Sequence, residues 1–187
     1  MGAVLAVRAN RAEVLLEKAR TEYRLLPAGR MLNRCEAGSL MPFQWTINPY
    51  RGCELGCCYC YARYTHEYLD LDGRAFERII FVKQFRKDLF ERELRSVKPG
   101  EWIAIGTATD PYQPVERRYG VTRALLEVLA RKAGLRVAIT TKSDLAARDA
   151  ALLGRLAERN DLRVNFTVTT LDAGLARRLE PGAPRPD

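Results

Sequence analysis

Four of the chain's five cysteines lie close together in the stretch NPYRGCELGCCYCYAR, residues 48–63. Their spacing reads as Cys53-x3-Cys57-x2-Cys60, with Cys58 inside the second interval. Thiolates bind soft metals and hold iron–sulfur clusters, and a loop this short can direct three of them at one cluster. Three ligands leave one iron of a 4Fe–4S cluster open, as a catalytic zinc keeps one open position for substrate. We therefore predict that Cys53, Cys57 and Cys60 are metal ligands.

The two remaining cysteines are expected to have other roles. Cys58 follows Cys57 directly and is expected to point elsewhere, so we predict a small buried apolar residue there. Cys35 stands alone in the N-terminal part of the chain and is predicted to be a structural or exposed thiol. Gly52 and Gly56 suit a loop whose backbone bends tightly and approaches a cluster.

Length and composition indicate one domain outside the membrane. The chain has 187 residues and 47% hydrophobic content, which suits a single core. Its net charge of +8 fits either simple solubility or an anionic partner such as nucleic acid or a phosphorylated substrate. No apolar run approaches the ~18 residues of a membrane span, and the N-terminus lacks the pattern of a signal peptide. We expect a cytoplasmic protein, in which clustered cysteines bind metal or do chemistry rather than form disulfides.

Strand-like and helix-like segments alternate after residue 77. The strand-like segments are RIIFVK, WIAIGT, LRVAIT and LRVNFTV, and the helix-like segments are FRKDLFERELRS, VTRALLEVLARKAG, DLAARDAALLGRLAER and DAGLARRL. The later strands are nearly continuous apolar runs, which is typical of a parallel sheet covered by helices. The pattern predicts an α/β fold, either an open doubly wound sheet or part of a β/α barrel.

The earlier part of the chain has a weaker pattern. Arg11–Tyr23 contains good helix formers with apolar spacing on one or two faces, which predicts a helix. Proline and glycine in the segments that follow indicate loops, and PFQWTINPY reads as a strand that runs into a turn. We predict an extension of helix plus loop over residues 1–42 and an α/β domain over residues 43–187.

Polar residues cluster directly after the predicted strands. The clusters cover residues 53–60, 107–113, 141–143 and 167–172. In parallel β/α folds the chemistry lies at the carboxyl ends of the strands. No glycine-rich dinucleotide fingerprint or phosphate-binding loop follows any of these strands.

The cysteine spacing, with Tyr59 just before the last cysteine, resembles the cluster motif of the radical S-adenosylmethionine (radical SAM) superfamily. The segments NPYRGCELGCCYCYAR, THEYL, GTATDPYQPVE, TKSDLAARD and TTLDAGLARRLEPGAP resemble, in this order, its spore photoproduct lyase-like branch. The resemblance implies a 4Fe–4S cluster on the three cysteines, with S-adenosylmethionine chelated by the open iron. An electron from a flavodoxin or ferredoxin type of donor then splits the sulfonium. The 5′-deoxyadenosyl radical takes hydrogen from a substrate, for which a nucleic-acid lesion is a candidate.

The resemblance also implies contacts for S-adenosylmethionine. Gly106 would let the backbone approach the ligand, and Thr107, Thr109 or Asp110 would accept hydrogen bonds from its amino group. Alternatively, Asp110 caps the Asp-Pro-Tyr turn.

A second set of contacts follows the next two strands. Lys142 would pair with the ligand carboxylate, with a surface lysine as the alternative, and Thr167 and Thr169 would bond ribose or carboxylate, or simply favour strand structure.

The aromatic residues of these motifs leave more than one reading open. Tyr59, Tyr61 and Tyr112 would shield the cluster or stack on adenine, and they suit a core equally well. His66, the sole histidine, is expected to pack or cap a helix rather than to bind metal.

A radical SAM core has six β/α units, and the sequence offers about four core strands, near Trp45, Trp102, Val137 and Val164. We therefore predict an incomplete parallel β/α barrel and a truncated chain. Two other functions remain open. One is a zinc-binding nucleic-acid module with Cys58 or His66 as fourth ligand, and the other is an inactive fragment.

Overall fold

The computed structural model describes residues 2–17, 21–36 and 40–185 of the chain. The strands of this part are β1 (Glu13–Glu17), β2 (Glu22–Leu26), β3 (Leu32–Arg34), β4 (Trp45–Ile47), β5 (Tyr50–Arg51), β6 (Ile79–Lys83), β7 (Trp102–Ile105), β8 (Arg136–Thr141) and β9 (Asp161–Phe166). The α-helices are α1 (Gly2–Asn10), α2 (Lys87–Glu93), α3 (Glu116–Tyr119), α4 (Val121–Leu129), α5 (Ala150–Ala157) and α6 (Ala173–Leu179). Short 3-10 helices cover Tyr61–Leu69, Gly73–Ala75, Leu94–Ser96 and Asp144–Asp149.

The larger sheet has the strand order β3-β4-β7-β8-β9, and β4, β7, β8 and β9 are parallel. Ile47, Ile105, Ile139 and Val164 lie side by side across it, so the carboxyl ends of these four strands meet at one edge. The predicted α/β class and the four core strands are confirmed. The incomplete barrel of about four β/α units stays a prediction.

The smaller sheet has the order β1-β2-β6-β5 and corrects the prediction for the N-terminal part of the chain. The helix predicted over Arg11–Tyr23 is wrong, because β1 and β2 lie there as an antiparallel pair. β2 also runs parallel to β6 over five residue pairs, and Leu15 and Leu16 pack against the core. These tertiary contacts outweigh the local helix propensity. The described part of residues 1–42 contains α1 as well as β1, β2 and β3, and the status of this region as a separate extension stays a prediction.

Helices cover the larger sheet as the sequence predicts. α4 buries Val121, Leu125, Leu126 and Leu129 against the core, and α5 buries Leu152 and Leu156. The last predicted helix is also present as α6, which buries none of its side chains. No helix within the described ranges is long and apolar enough to cross a membrane.

Candidate metal and cofactor site

A cavity of about 190 Å³ lies where the cysteine loop meets the carboxyl ends of β7 and β8. Of the residues predicted for the site, it is lined by Cys53, Cys57, Tyr59, Cys60, Gly106, Thr107, Thr109, Asp110, Lys142 and Thr167. Thr169 lies in a neighbouring cavity of about 310 Å³, which shares Lys142 and Thr167 with the first. The fold thus brings distant parts of the sequence to one edge of the sheet.

The three predicted ligands line this cavity as free thiols. Cys53 and Cys57 are buried and Cys60 is partly buried. Within the described ranges, no three His, Cys, Asp or Glu side chains are arranged closely enough to hold a metal ion. The cavity offers thiols, the donor type that iron–sulfur clusters use, and the convergence of these three on a cluster with one open iron stays a prediction.

Cys58 is exposed, so the prediction of a buried apolar residue is wrong. Its backbone N–H donates to Leu179 O over 2.8 Å, and its carbonyl accepts from Arg63 Nη1 over 2.9 Å. These bonds fix the peptide and leave the side chain in solvent. Cys35 is partly buried.

Gly52 shapes the start of the cysteine loop. Its φ of +83° lies in the left-handed region, and a Cβ atom there would be 2.7 Å from Phe76 O and 2.8 Å from Ile79 O. Only glycine fits this position without a shift of the backbone. The Gly52 carbonyl in turn accepts hydrogen bonds from Thr109 Oγ1 over 2.7 Å and from Gln113 Nε2 over 3.1 Å. The loop is thereby tied to the segment after β7.

Arg63 holds the middle of the cysteine loop from its other side. Its guanidinium donates to the carbonyls of Cys57 and Cys58, each over 2.9 Å. The same guanidinium pairs with Glu77 Oε1 over 2.5 Å. Because these carbonyls bond to a charged donor, the backbone around Cys57 has a defined conformation before any ligand binds.

The segment GTATD after β7 is held by its own hydrogen bonds. Asn48 donates to Thr107 Oγ1 over 3.0 Å and accepts from Ala108 N–H over 2.8 Å. Gly106 has a φ of +91°, and a Cβ there would be 2.5 Å from Thr140 O. Glycine is required here because the ends of β7 and β8 pack closely together. Approach of the Gly106 backbone to S-adenosylmethionine stays a prediction.

Asp110 is buried and accepts three hydrogen bonds. Its Oδ1 accepts from Tyr112 N–H over 2.8 Å and from Thr141 Oγ1 over 2.7 Å, and its Oδ2 accepts from Lys142 N–H over 2.7 Å. Burial raises the pKa of Asp110, and the hydrogen bonds oppose this shift. These contacts agree with the prediction that Asp110 caps its turn. Contact with a ligand ammonium stays a prediction.

Lys142 meets a residue that the sequence analysis missed. Its Nζ lies 2.7 Å from Glu180 Oε1, and the same oxygen accepts from Thr169 Oγ1 over 2.5 Å and from the Tyr59 hydroxyl. Burial alone would lower the pKa of Lys142, but the bonds to Glu180 and Tyr59 raise it. Sequence patterns indicate only a turn at Glu180, because it stands in a Glu-Pro-Gly segment.

Burial controls the protonation of the thiols. It raises the pKa of Cys53 well above its usual range, and the nearby Asp110 adds to this effect. Burial also raises the pKa of Cys57 to about 11, although Lys142 opposes the shift. Both thiols are therefore neutral at neutral pH in the ligand-free chain, and a bound metal cation is what favours the thiolates.

The remaining predicted residues divide between core and surface. His66 is fully buried, bonds Ile79 O through Nε2 over 2.9 Å and packs against Phe76 and Phe81. Its predicted packing role is confirmed. Tyr112 is also fully buried, whereas Tyr59 and Tyr61 are about half and two thirds exposed. Because Cys58 is exposed and His66 is packed in the core, neither lines the cavity as a fourth zinc ligand.

Comparison of the sequence with curated proteins finds relatives without an assigned function. An uncharacterized protein of Mycobacterium tuberculosis is 38% identical over 159 residues, which cover 83% of this chain and 46% of the relative. An uncharacterized protein of Methanocaldococcus jannaschii is 30% identical over 141 residues, 75% of this chain and 50% of the relative. The chain thus spans about half the length of these relatives. No model of a known protein family matches it.

Comparison with solved structures finds a similar fold in spore photoproduct lyase. The lyase complexed with dinucleoside spore photoproduct matches with a TM-score of 0.57 at 16% identity, over 94% of this chain and 50% of the lyase. A mutant of the lyase with bound AdoMet and the same dinucleoside has a TM-score of 0.51 at 16% identity, over 79% and 40%. The chain therefore shares its fold with about half of spore photoproduct lyase.

Proposed function

We propose that this chain is the cofactor-binding part of a radical SAM enzyme, with a 4Fe–4S cluster on Cys53, Cys57 and Cys60. The observation that carries the proposal is the cavity at the carboxyl edge of the parallel sheet. Three free thiols line one part of it, and Lys142 and the GTATD segment line another. The fold shared with spore photoproduct lyase, one structure of which holds AdoMet, supports the same function.

When bound, the cluster supplies the electron that cleaves S-adenosylmethionine and so produces the radical that takes hydrogen from the substrate. The chain contributes binding, orientation and exclusion of water. The thiols stand against an apolar cluster that contains Leu55, Ala62 and Phe76. This wall keeps water from the thiols and strengthens electrostatic interactions beside them.

The strand ends contribute the polar contacts for S-adenosylmethionine. The Lys142 ammonium is a point charge that pairs with the ligand carboxylate. Thr107, whose Oγ1 already accepts from Asn48, and Thr109 offer hydroxyls at the cavity, and Gly106 leaves its backbone close to the ligand. Thr167 lines both cavities and Thr169 lines the neighbouring one, and these two hydroxyls are proposed to contact the ribose or carboxylate of the ligand. Tyr59 covers the side of the cavity that the cysteine loop forms.

For the substrate class we propose a nucleic-acid lesion. The net charge of +8 is compatible with an anionic partner, and the similar lyase is complexed with dinucleoside spore photoproduct. The reducing electron would come from a flavodoxin or ferredoxin type of donor in the cytoplasm. The chain spans about half the length of its relatives, and we propose that sequence corresponding to their unmatched half supplies the remainder of the substrate pocket.

The test is anaerobic reconstitution of the chain, followed by iron and sulfide analysis and EPR of the reduced protein with and without S-adenosylmethionine. We expect about four irons per chain and a spectrum that changes when S-adenosylmethionine is added. Replacement of Cys53, Cys57 or Cys60 by alanine should abolish loading. Cys58→Ala is the matched control, because Cys58 lies in the same loop but faces solvent. Zinc in place of iron, or a spectrum indifferent to S-adenosylmethionine, would overturn the proposal.

A further inference from the structure

The segment after α6 crosses the cysteine loop on both sides of Cys57. We name residues 179–182 the strap. Leu179 O accepts from Cys58 N–H over 2.8 Å, and Gly182 N–H donates to Leu55 O over 3.0 Å. The contact is close, since a Cβ at Gly182 would lie 2.3 Å from Glu54 O. The strap and the loop that carries the thiols are therefore held together as one unit.

Glu180 in the strap gathers three donors on a single oxygen atom. Its Oε1 accepts from Lys142 Nζ, from Thr169 Oγ1 and from the Tyr59 hydroxyl. The residue is only 7% exposed, so these bonds form in a site with little competition from water. The three donors come from the end of β8, from the segment after β9 and from the cysteine loop. Among the described residues, the ammonium of Lys142 forms its ion pair with Glu180, whereas Asp110 accepts only from the Lys142 backbone N–H.

We propose that Glu180 is a positioning residue, which orients the Lys142 ammonium toward the ligand carboxylate and couples it to the cysteine loop through Tyr59. The inference rests on the proposed function for the identity of the ligand. Lys142 Nζ has three N–H donors, which contact Glu180 at 2.7 Å, Thr169 at 3.4 Å and the Tyr59 hydroxyl. Since two of these acceptors are neutral hydroxyls, a ligand carboxylate can take the place of one of them. Glu180 stays in place when the ligand binds, because Thr169, Tyr59 and the strap hold it.

A pair of ligands separates this role from a general effect on folding. Decarboxylated S-adenosylmethionine lacks the carboxylate that Lys142 is proposed to bind and that the open iron would also chelate, so its affinity is compared between variant and wild type and not with that of S-adenosylmethionine. In the reconstituted chain, Glu180→Gln should weaken binding of S-adenosylmethionine by about tenfold, the loss typical of one charge-assisted hydrogen bond. Binding of the decarboxylated compound should not change. Glu127→Gln removes an exposed carboxylate on α4 and serves as the matched control. Equal loss for both ligands, or tighter binding of S-adenosylmethionine, would overturn the inference.

A second readout needs neither cluster nor S-adenosylmethionine. The rate at which acetic anhydride acylates Lys142 in the purified chain can be followed by mass spectrometry, with the exposed Lys87 as internal reference. Glu180→Gln should speed acylation of Lys142 several-fold, because the amide does not hold the ammonium as the carboxylate does. An unchanged rate would contradict the positioning role. If wild-type chain binds no S-adenosylmethionine but the acylation rates differ, the proposed function fails and the contact between Glu180 and Lys142 stands.

Thr169→Val provides a second variant if Glu180→Gln does not fold. It removes the hydroxyl that donates to Glu180 and that lies near Lys142, and it leaves the strap unchanged. We expect a smaller loss of affinity for S-adenosylmethionine, about threefold, as for a neutral hydrogen bond. Equal affinity of this variant and wild type for both ligands would contradict the network.

Discussion

Asp110 Oδ2 accepts a hydrogen bond of 2.7 Å from the backbone N–H of Lys142, and this bond joins the segments that follow β7 and β8. The carboxylate therefore fixes the backbone from which the Lys142 side chain reaches the cavity. Its other oxygen accepts from Thr141 and Tyr112, so both oxygens are hydrogen-bonded within the protein. The geometry of the proposed ligand site thus depends on Asp110, which accepts its hydrogen bonds from Tyr112, Thr141 and Lys142.

The first prediction concerns Asp110→Asn. The amide can present only one oxygen, so its NH₂ group would face an N–H donor of Tyr112 or Lys142 in the buried site. We expect the free energy of unfolding to fall by about 1–3 kcal/mol, as for an unsatisfied buried donor, when measured by urea denaturation. Asp144→Asn is the control, since its side chain is 73% exposed, and it should change stability by no more than about 0.5 kcal/mol. Equal stability of Asp110→Asn and wild type would contradict the assigned hydrogen bonds.

The second prediction concerns Gly52→Ala. The added Cβ would require the left-handed φ of +83° and would lie within 2.8 Å of two carbonyl oxygens, both of them backbone atoms that do not yield easily. We expect a loss of about 2 kcal/mol or more in the free energy of unfolding and failure to load iron. Gly154→Ala, in α5 with open space around it, should be neutral or stabilising by up to about 1 kcal/mol. Normal iron content in Gly52→Ala would show that the loop can form another way.

Local pattern and motif were sufficient to predict the parts of the site that lie near strand ends. Cys53 and Cys57 are predicted from the spacing of the cysteines and the resemblance of their segment, and Lys142 is predicted from its place directly after an apolar strand. Glu180 was missed because its partners are distant along the chain and meet it only where the strap returns to the cysteine loop. The helix predicted over Arg11–Tyr23 is wrong for a similar reason, since β1 pairs with β2 and β2 in turn pairs with the distant β6.

The third prediction concerns a buried ion network behind the site. Arg148 Nη2 lies 2.9 Å from both Glu116 Oε1 and Asp149 Oδ2, and both carboxylate side chains are 0% exposed. Arg148→Met would leave Glu116 without its cation, whereas Asp149 keeps Arg123 at 2.6 Å. We expect a loss of about 3 kcal/mol in the free energy of unfolding. Arg117→Met, which removes an exposed arginine 3.9 Å from Asp144, should cost less than about 1 kcal/mol. Similar losses in the two variants would contradict a buried network.

The fourth prediction is a pH dependence that comes from Lys83 in β6. Burial, together with the nearby Arg51, lowers the pKa of Lys83 to about 7, and Glu93 partly opposes the shift. In the unfolded chain the pKa is near its ordinary value, so between pH 7 and about 10 the unfolded state binds more protons than the folded state. The contribution of Lys83 to the free energy of unfolding therefore rises as the pH increases through this range.

Lys83→Met, which is of similar length and uncharged, should be more stable than wild type at pH 7, and the difference should shrink towards pH 10. Urea denaturation of both chains under reducing conditions, at several pH values, measures the difference and cancels the titration of the cysteines and tyrosines. A difference that stays constant with pH would mean that Lys83 keeps its proton in the folded protein.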